Sequence, residues 1–150
     1  MFLSFTFGQG GAKLTLSFKY KFKPRFSDID RYGIAHHSKY FCWFEEARYY
    51  FLESILKIPQ EELVQLYAPI TSLKADYKKS IIFENSYVIV VSLSIDEFKS
   101  FVQFQYEIMD CNEETIYAKG LTEHVFTKSN GELLFEIPDF LYEKIKLIRK

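Results

Sequence analysis

A single helical pattern followed by four strand patterns limits the folds that are open to this chain. Residues 38–57 carry apolar side chains at three- and four-residue spacing, which predicts one long amphipathic helix. Four later segments alternate apolar and polar residues instead, which predicts half-buried strands: 69–81, 86–95, 100–109 and 115–127. The connections between these strands are short, so neighbouring strands should pair as antiparallel hairpins. One long helix can cover one face of such a sheet, and we therefore expect an α+β fold.

The helix and its flanking segments can be outlined in more detail. The apolar stripe of the helix consists of Tyr40, Phe44, Ala47, Phe51 and Ile55. Ser38 stands just before the first turn and is a candidate N-cap, while Pro59 ends the pattern and opens a short predicted helix over 59–66. Residues 16–22 alternate cleanly and predict a first strand, and residues 138–150 predict a terminal helix.

The size of the chain suggests one folded unit. A length of 150 residues suits a single domain, because two separate cores would each be small. Residues 1–14 start with an apolar run and include the flexible pair Gly10–Gly11, so we expect a poorly ordered extension there. The domain itself is then expected over residues 15–150.

Charge and hydropathy argue against several classes of partner. The net charge is −1, whereas proteins that bind nucleic acid usually carry a strong basic surplus, so no nucleic-acid partner is expected. The longest apolar runs are far too short to span a membrane. The N-terminal segment lacks the basic residues that precede the apolar part of a signal peptide. A cytoplasmic protein without a membrane span is the resulting expectation.

Cysteine and histidine do not form a recognisable metal motif. Cys42 and Cys111 lack CxxC spacing, and Cys42 lies within the helical pattern, where a buried free thiol is expected. His36 and His37 are adjacent, which rarely lets both bind one ion, and His124 lies on a distant strand. Neither a metal nor a redox cofactor is therefore expected.

The loop before the long helix, FSDIDRYGIAHHSK, brings several ionisable residues together. Asp28 and Asp30 are two residues apart, so only one of them should point inward. Gly33 gives the backbone freedom for a sharp turn, and the helix then begins near His37, which leaves its first N–H groups unpaired and partly positive. Asp30 could simply cap the loop. Alternatively, the N–H groups could polarise a substrate carbonyl while the carboxylate attacks it or activates water.

Aromatic residues make up 19% of the chain. Bulky core packing explains most such rings, and an apolar groove for a ligand or a partner subunit is the alternative. Six rings are spread around the predicted helix: Phe41, Trp43, Phe44, Tyr49, Tyr50 and Phe51. If a few of them line a tunnel, the substrate should carry an apolar or aromatic group. If all of them lie in the core or in an interface, no such preference follows.

The stretch RFSDIDRYGIAHHSKYFCWFEEAR resembles the hotdog-fold thioesterases, specifically the 4-hydroxybenzoyl-CoA thioesterase-like acyl-CoA thioesterases. Their pattern runs roughly R-[FY]-x-D-x-D-x-x-G-[IV]-[VA]-x-H-x-x-Y and then W-x-E-x-A-R. The residues at the matching places are Arg25, Phe26, Asp28, Asp30, Gly33, Ile34, Ala35, His37, Tyr40, Trp43, Glu45, Glu46, Ala47 and Arg48. The resemblance continues through later strand segments and covers about residues 16–140.

The resemblance implies a long central helix wrapped by a curved antiparallel sheet, with two subunits paired edge to edge. A homodimer or a homotetramer is expected, with active sites at the subunit boundary. The catalytic aspartate of the family corresponds to Asp30, and its thioester-polarising backbone N–H corresponds to His37. Further substrate contacts are expected from Gly33, Lys39, Tyr40, Tyr77, Lys78 and Lys79, among which the lysines are candidates for binding the phosphates of coenzyme A.

The activity implied by the resemblance is hydrolysis of an acyl-CoA or acyl-carrier-protein thioester to a carboxylic acid and a free thiol. Coenzyme A is then part of the substrate, and no cofactor is needed. A non-catalytic relative that binds the same thioesters is the alternative, although intact Asp30 and Gly33 favour an enzyme. A hotdog dehydratase would need a histidine and an acid arranged on the helix, which this sequence does not match. Departures from the family pattern at Lys39, Ser80 and Glu84–Asn85 concern pocket shape and coenzyme contacts more than chemistry.

Overall fold

The computed structural model describes residues 2–8, 11–96 and 100–148. The strands are β1 (Phe2–Gly8), β2 (Gly11–Phe22), β3 (Ile70–Tyr77), β4 (Tyr87–Asp96), β5 (Phe101–Asp110), β6 (Ile116–Thr127) and β7 (Leu133–Leu134). The α-helices are α1 (Lys39–Tyr50), α2 (Gln60–Leu63) and α3 (Asp139–Ile148). A 3-10 turn covers Phe26–Asp28, and a π-helical turn covers Phe51–Ile55.

The strands form one antiparallel sheet in the order β1-β2-β4-β5-β6-β3, with the short β7 paired to β6. The predicted hairpins β4–β5 and β5–β6 are confirmed. Among the described strands β3 pairs only with β6, so β3 forms one edge of the sheet. The element order therefore agrees with the predicted α+β class.

The buried faces of the central strands match the predicted alternation. In β4 the buried apolar residues include Tyr87, Ile89, Val91, Leu93 and Ile95. In β5 they are Val102, Phe104, Tyr106 and Ile108. The alternating pattern places these side chains on one face, where the long helix covers them.

Helix α1 packs its apolar stripe on this face of the sheet. Phe44 stacks on Tyr106 with ring centroids 4.3 Å apart, and Phe51 stacks on Phe18 with centroids 4.7 Å apart. Ala47, between the two rings, is fully buried. The stripe predicted from residue 40 to residue 51 is thus confirmed, and it forms the centre of the hydrophobic core.

The π-helical turn changes the phase of the stripe beyond Phe51. The Leu56 N–H group donates to the Phe51 carbonyl, five residues earlier, at 2.9 Å. Leu56 is buried as a result, whereas Ile55 is only half-buried. A regular α-helix, as predicted over residues 38–57, would bury Ile55 instead, because its hydrogen bonds span four residues.

The N-terminal segment differs from the expected poorly ordered extension over residues 1–14. Phe2–Gly8 pairs with β2, from Phe2 opposite Ser17 to Gly8 opposite Gly11. β2 itself begins at Gly11, before the expected domain start at residue 15. The physical reason is that β2 would otherwise leave a row of backbone groups unpaired at the edge of the sheet. Residues 1, 9 and 10 of the expected extension lie outside the described residues.

Of two predictions near the start of α1, the N-cap position of Ser38 is confirmed without its side-chain bond, and the burial of Cys42 is wrong. Ser38 occupies the N-cap position without a capping hydrogen bond, because its hydroxyl lies 2.8 Å from His36 Nδ1 instead. Cys42 is exposed rather than buried. Two residues along an α-helix rotate the side chain by about 200°, so Cys42 faces away from the side that buries Tyr40.

Candidate active site

The loop before α1 folds as a tight turn around Gly33. The Gly33 N–H group donates to the Asp30 carbonyl at 3.0 Å, and the Asp30 N–H group donates to the Ile34 carbonyl at 2.8 Å. Ile29 and Ala35 then pair as an antiparallel bridge. Gly33 has φ of +77°, a left-handed conformation that glycine adopts at little cost, and a Cβ atom added to it would meet no other atom within 4 Å. The predicted sharp turn is therefore confirmed, and it depends on the backbone of Gly33.

Asp28 anchors this loop to the body of the protein. Its side chain is buried, Oδ2 accepts the Arg25 N–H group at 2.8 Å, and Oδ1 lies 3.5 Å from Lys39 Nζ. The Asp28 carbonyl accepts the His36 N–H group at 2.8 Å, and the Ala35 N–H group donates to the Ile81 carbonyl at 2.9 Å. Because both carboxylate oxygens are engaged, Asp28 has a structural role.

Asp30 is the acid that remains available. Oδ1 accepts the Tyr32 N–H group at 2.8 Å, and within the described part of the chain Oδ2 has no hydrogen-bond or ion-pair partner. The side chain is half-buried and lines a cavity at the mouth of α1. Of the two acids, Asp28 is thus the buried one, and Asp30 lines the cavity with one carboxylate oxygen unpaired among the described residues.

The cavity beside Asp30 has a volume of about 400 Å³. Its lining residues are Asp30, Ile34, Ala35, His37, Tyr40, Tyr77, Lys78, Lys79 and Ser80. Six of the eight predicted site residues therefore meet in one place. The other two do not line it: Gly33 lies in the turn, and Lys39 pairs with Asp28. Direct substrate contacts from all eight residues stay a prediction.

His37 contributes its backbone to this site. Among the described residues no acceptor for its N–H group is found, while its carbonyl accepts the Tyr77 hydroxyl at 3.0 Å. Helix α1 begins two residues later, so this N–H group lies near the positive end of the helix dipole. The His37 ring packs on the His36 ring with centroids 4.0 Å apart. His37 therefore has a free donor next to the cavity that Asp30 lines.

Two tyrosines form a neutral wall of the cavity. The rings of Tyr40 and Tyr77 meet edge to face with centroids 4.8 Å apart. Burial raises the pKa of Tyr40 to about 12, against an opposing backbone hydrogen bond from Ile81. Burial also raises the pKa of Tyr77. Both phenols therefore keep their protons at neutral pH and can take part as hydrogen-bond donors, as acceptors or as apolar surface.

Lysines follow β3 at the rim of the cavity. The backbone N–H groups of Lys78 and Lys79 both donate to the Tyr117 carbonyl, at 2.9 and 3.0 Å. This shared acceptor ends the ladder between β3 and β6. Lys79 Nζ lies over the Tyr117 ring, 5.1 Å from its centroid, and both lysines are exposed. The rim thus carries positive charge next to the carboxylate of Asp30.

Some cavity residues were not predicted as site residues. Ile34, Ala35 and Ser80 line the cavity. Ile34 and Ala35 belong to the family motif, and Ser80 stands where the family pattern usually has proline. The motif therefore marked all three positions, although none of them was predicted to contact the substrate. None of the six helix aromatics lines this cavity; Tyr40, which does, was predicted on other grounds.

Comparison with known proteins places the chain in a family. The family model of the thioesterase-like superfamily matches residues 24–145. The chain belongs to this superfamily. The match includes the whole loop, the long helix and the sheet strands β3 to β6, so the resemblance stated from the sequence is confirmed.

Relatives of this thioesterase-like chain have similar length. A protein of Aquifex aeolicus (strain VF5) named "Putative esterase" is 32% identical over 133 residues, which cover 87% of this chain and 99% of that protein. The structure of a 1,4-dihydroxy-2-naphthoyl-CoA thioesterase from Synechocystis matches with a TM-score of 0.76 at 14% identity, covering 89% of this chain and 98% of that one.

A third relative was solved with a ligand. It is an aspartate-to-asparagine variant of 4-hydroxybenzoyl-CoA thioesterase in complex with 4-hydroxybenzoyl-CoA, with a TM-score of 0.71 at 18% identity, covering 86% of this chain and 98% of that one. At such identities the likeness shows the fold. The predicted hotdog fold, a long helix packed on an antiparallel sheet, is confirmed.

The thioesterase-like chain offers a limited set of chemistries at this site. In the described ranges no group of three or more histidine, cysteine or acidic residues is placed to hold a metal ion. None of the described helices is long and apolar enough to cross a membrane. A carboxylate and a free backbone donor that face one cavity can together polarise a carbonyl and deliver a nucleophile to it.

Proposed function

We propose that this chain is an acyl-CoA thioesterase that hydrolyses a thioester to a carboxylic acid and free coenzyme A. The observation that carries the proposal is the cavity at the mouth of α1, which Asp30 and His37 both line. Among the described residues, Asp30 Oδ2 and the His37 N–H group have no hydrogen-bond partner. Membership of the thioesterase-like superfamily supports the same reaction. Coenzyme A is part of the substrate, and the proposed reaction uses no cofactor.

The roles in the reaction follow from the groups at the cavity. The His37 N–H group and the positive end of α1 would stabilise the oxyanion that forms on the thioester carbonyl. Asp30 would either attack the carbonyl carbon or take a proton from the attacking water. In both routes the carbon–sulfur bond breaks, the thiolate leaves and is protonated, and one water supplies the oxygen of the new carboxylate.

The two ends of the substrate would meet different surfaces. Lys78 and Lys79 at the rim, with Lys39 at the start of α1, are the proposed contacts for the coenzyme A phosphates. Tyr40 and Tyr77 offer an aromatic wall for the acyl group. Two structural relatives whose names include aryl-CoA thioesters support an aromatic or apolar acyl group. An acyl-carrier-protein thioester would present the same reacting bond.

We also propose that the chain works as a homodimer or a homotetramer, in the cytoplasm. The edge strand β3 supports assembly, because its side chains are largely exposed and include Ile70, Leu73 and Tyr77. An exposed apolar edge strand readily pairs with another chain. The free thiols of Cys42 and Cys111 suit a reducing compartment. Sedimentation at micromolar concentration tests the assembly, and a monomer would contradict it.

The decisive experiment is thiol release from a panel of acetyl-, octanoyl- and 4-hydroxybenzoyl-CoA by wild type and Asp30→Asn. Asparagine keeps the shape and the acceptor for Tyr32, but it cannot attack a carbonyl or take a proton from water. The rate should fall by more than about a hundredfold, with thioester affinity retained. Asp139→Asn, on the exposed start of α3, is the matched control and should keep the wild-type rate.

Two results would contradict the proposal. An Asp30→Asn variant that keeps more than about a tenth of the rate would leave less than ~1.4 kcal/mol of the barrier to this carboxylate, so Asp30 would only cap the loop. Wild-type protein that binds acyl-CoA tightly without releasing thiol would instead identify a non-catalytic acyl-CoA or carrier-protein binder. Equal rates on acetyl- and octanoyl-CoA would remove the preference for an apolar acyl group.

A further inference from the structure

A second, larger cavity lies between the C-terminal half of α1 and the sheet. Its volume is about 600 Å³, and it shares no lining residue with the cavity of Asp30. Most of its surface is apolar, with contributions from Leu52, Leu93, Ile95, Phe104, Leu141 and Ile145. This volume lies within the range typical of small-molecule sites in proteins. Phe44, which is fully buried, lines neither cavity.

A hydrogen-bonded series of polar side chains reaches the wall of this second cavity. Arg48 Nη1 lies 3.2 Å from the Tyr106 hydroxyl, which lies 2.9 Å from Thr122 Oγ1. His124 Nε2 lies 2.9 Å from the same Thr122 oxygen, and His124 Nδ1 lies 3.0 Å from the Ala68 carbonyl. Arg48 and His124, at the two ends of this hydrogen-bonded series, line the cavity.

With a neutral His124 ring, the donors and acceptors along this hydrogen-bonded series can be assigned in only one way. The Ala68 carbonyl can only accept, so His124 donates from Nδ1 and accepts at Nε2 from the Thr122 hydroxyl. The Thr122 oxygen then accepts from Tyr106, whose oxygen accepts from the guanidinium of Arg48. Burial lowers the pKa of His124, which keeps the ring neutral. Arg48 is therefore the charged member of the hydrogen-bonded series.

The charge of Arg48 is only weakly compensated. Its side chain is 11% exposed, and its ion pair with Glu45 has an N–O distance of 3.9 Å, with the Glu45 side chain 58% exposed. Among the described residues, the Arg48 guanidinium has one hydrogen-bond acceptor, the Tyr106 hydroxyl. A guanidinium has five N–H groups, so several remain for a ligand, and two of them can bind one carboxylate in parallel.

The second cavity is accessible from outside. Tyr49, Tyr67 and Ile70 line it and keep 53%, 44% and 44% of their surface exposed, so they form its rim. A molecule can enter past these residues without opening the core. Glu45 also lines the cavity, but its side chain is 58% exposed and lies toward solvent. The interior beyond the rim combines the Arg48 guanidinium and the His124 ring with a large apolar wall, which is the complement of a small molecule with one carboxylate and a hydrocarbon body.

We propose that this cavity binds an alkanoic acid of medium length, with its carboxylate on Arg48 and its hydrocarbon chain among Leu52, Leu93 and Phe104. The guanidinium selects an anion over a neutral or cationic head group, and the apolar wall selects the alkyl chain. The proposal is independent of thioester hydrolysis, because it concerns a free acid in a cavity that does not include Asp30.

Calorimetric titration of the full-length protein with decanoate tests the proposal, with 1-decanol and decyltrimethylammonium as neutral and cationic counterparts. Decanoate should bind once per chain, more tightly than either counterpart. Arg48→Gln should weaken decanoate binding by about tenfold or more, because a charge-assisted hydrogen bond is lost, and should leave 1-decanol binding nearly unchanged. Lys78→Gln, at the rim of the other cavity, should leave decanoate binding as in wild type.

A second measurement on wild type avoids any folding defect of the Arg48 variant. Nuclear Overhauser contacts from the methylene groups of decanoate should reach the methyl groups of Leu93 and Ile95. Contacts to Ile34 and Ala35, or loss of decanoate binding in Lys78→Gln, would place the acid in the cavity of Asp30 and overturn the proposal. Equal affinity for decanoate and decyltrimethylammonium would overturn it as well, since no role would remain for the guanidinium.

Discussion

The ring of Phe44 lies where a side chain on residue 120 would have to stand. A Cβ atom added to Gly120 would overlap the Cε2 and Cζ atoms of Phe44, far inside van der Waals contact. The same ring stacks on Tyr106. Helix α1 therefore approaches β6 closely at this point because residue 120 has no side chain.

Gly120→Ala should lower the free energy of unfolding by about 1–3 kcal/mol, because the added methyl group forces a buried ring out of its position. Urea denaturation measures the change. The control is the same substitution in a Phe44→Leu background, where a smaller side chain leaves room for the methyl group. A cost that is equal in both backgrounds would show that the ring is not the cause.

The two acids of the loop should respond differently to the same isosteric change. Asp28→Asn should lower the free energy of unfolding by about 1.5–3 kcal/mol, because it weakens buried charge-assisted contacts with the Arg25 N–H group and with Lys39. Asp30→Asn should change it by less than about 0.5 kcal/mol, because an amide oxygen can still accept from Tyr32. Thermal and urea unfolding of both variants provide the comparison. The opposite ranking would reverse the structural and functional roles assigned to the two residues.

Stability should depend on pH through His124. Its folded-state pKa is lowered by burial from the ordinary value of 6.5, so the unfolded chain binds a proton first as pH falls. The stabilising contribution of the neutral ring is complete above about pH 6.5 and is lost as pH falls through the folded-state pKa, by at most about 1.4 kcal/mol per pH unit.

His124→Gln removes this titration, so the variant should lose less stability than wild type between about pH 7 and pH 5. Measurements at about pH 8 set the baseline cost of the substitution itself. Parallel pH profiles for wild type and variant would mean that the ring is not buried in its neutral form.

Tyr40 should keep its proton at alkaline pH. Because its pKa is about 12, Tyr40→Phe and wild type should show the same increase in phenolate absorbance up to about pH 11 while both remain folded. Tyr32→Phe, at an exposed position in the loop, is the comparison. A phenolate signal that Tyr40→Phe loses near pH 10 would show that the hydroxyl is solvated.

The sequence patterns predicted most of the fold because period-two and helical spacing report directly on burial. The faces of β4 and β5 and the stripe of α1 follow these periods, and so their core residues could be named in advance. The N-terminal strand β1 was missed, since its glycine-rich end suggested flexibility and its pairing with β2 is a tertiary property. The outward position of Cys42, by contrast, follows from helical spacing, because Cys42 lies about 200° around the helix from Tyr40; the predicted burial of its thiol did not use this spacing.

The candidate site was predicted mainly through the family motif. That motif identified Asp30 and His37, and the structure adds the reason why only one of two nearby acids faces the cavity: Asp28 is fully engaged by Arg25 and Lys39. Such a division depends on side-chain partners from different parts of the chain. No sequence motif predicted the second cavity. Arg48 and Tyr106 are far apart in sequence, and the family motif includes Arg48 without assigning it a role.

The π-helical turn at Phe51–Ile55 also has a consequence for comparing this chain with its relatives. One extra residue in that turn rotates everything after it by about 100° about the helix axis. An alignment that assumes an unbroken helix would therefore match Ile55 to the buried position that Leu56 fills. Relatives without the extra residue should carry a one-residue gap within this turn, and their later core residues are correctly paired with Leu56 and Ile58 only when that gap is placed there.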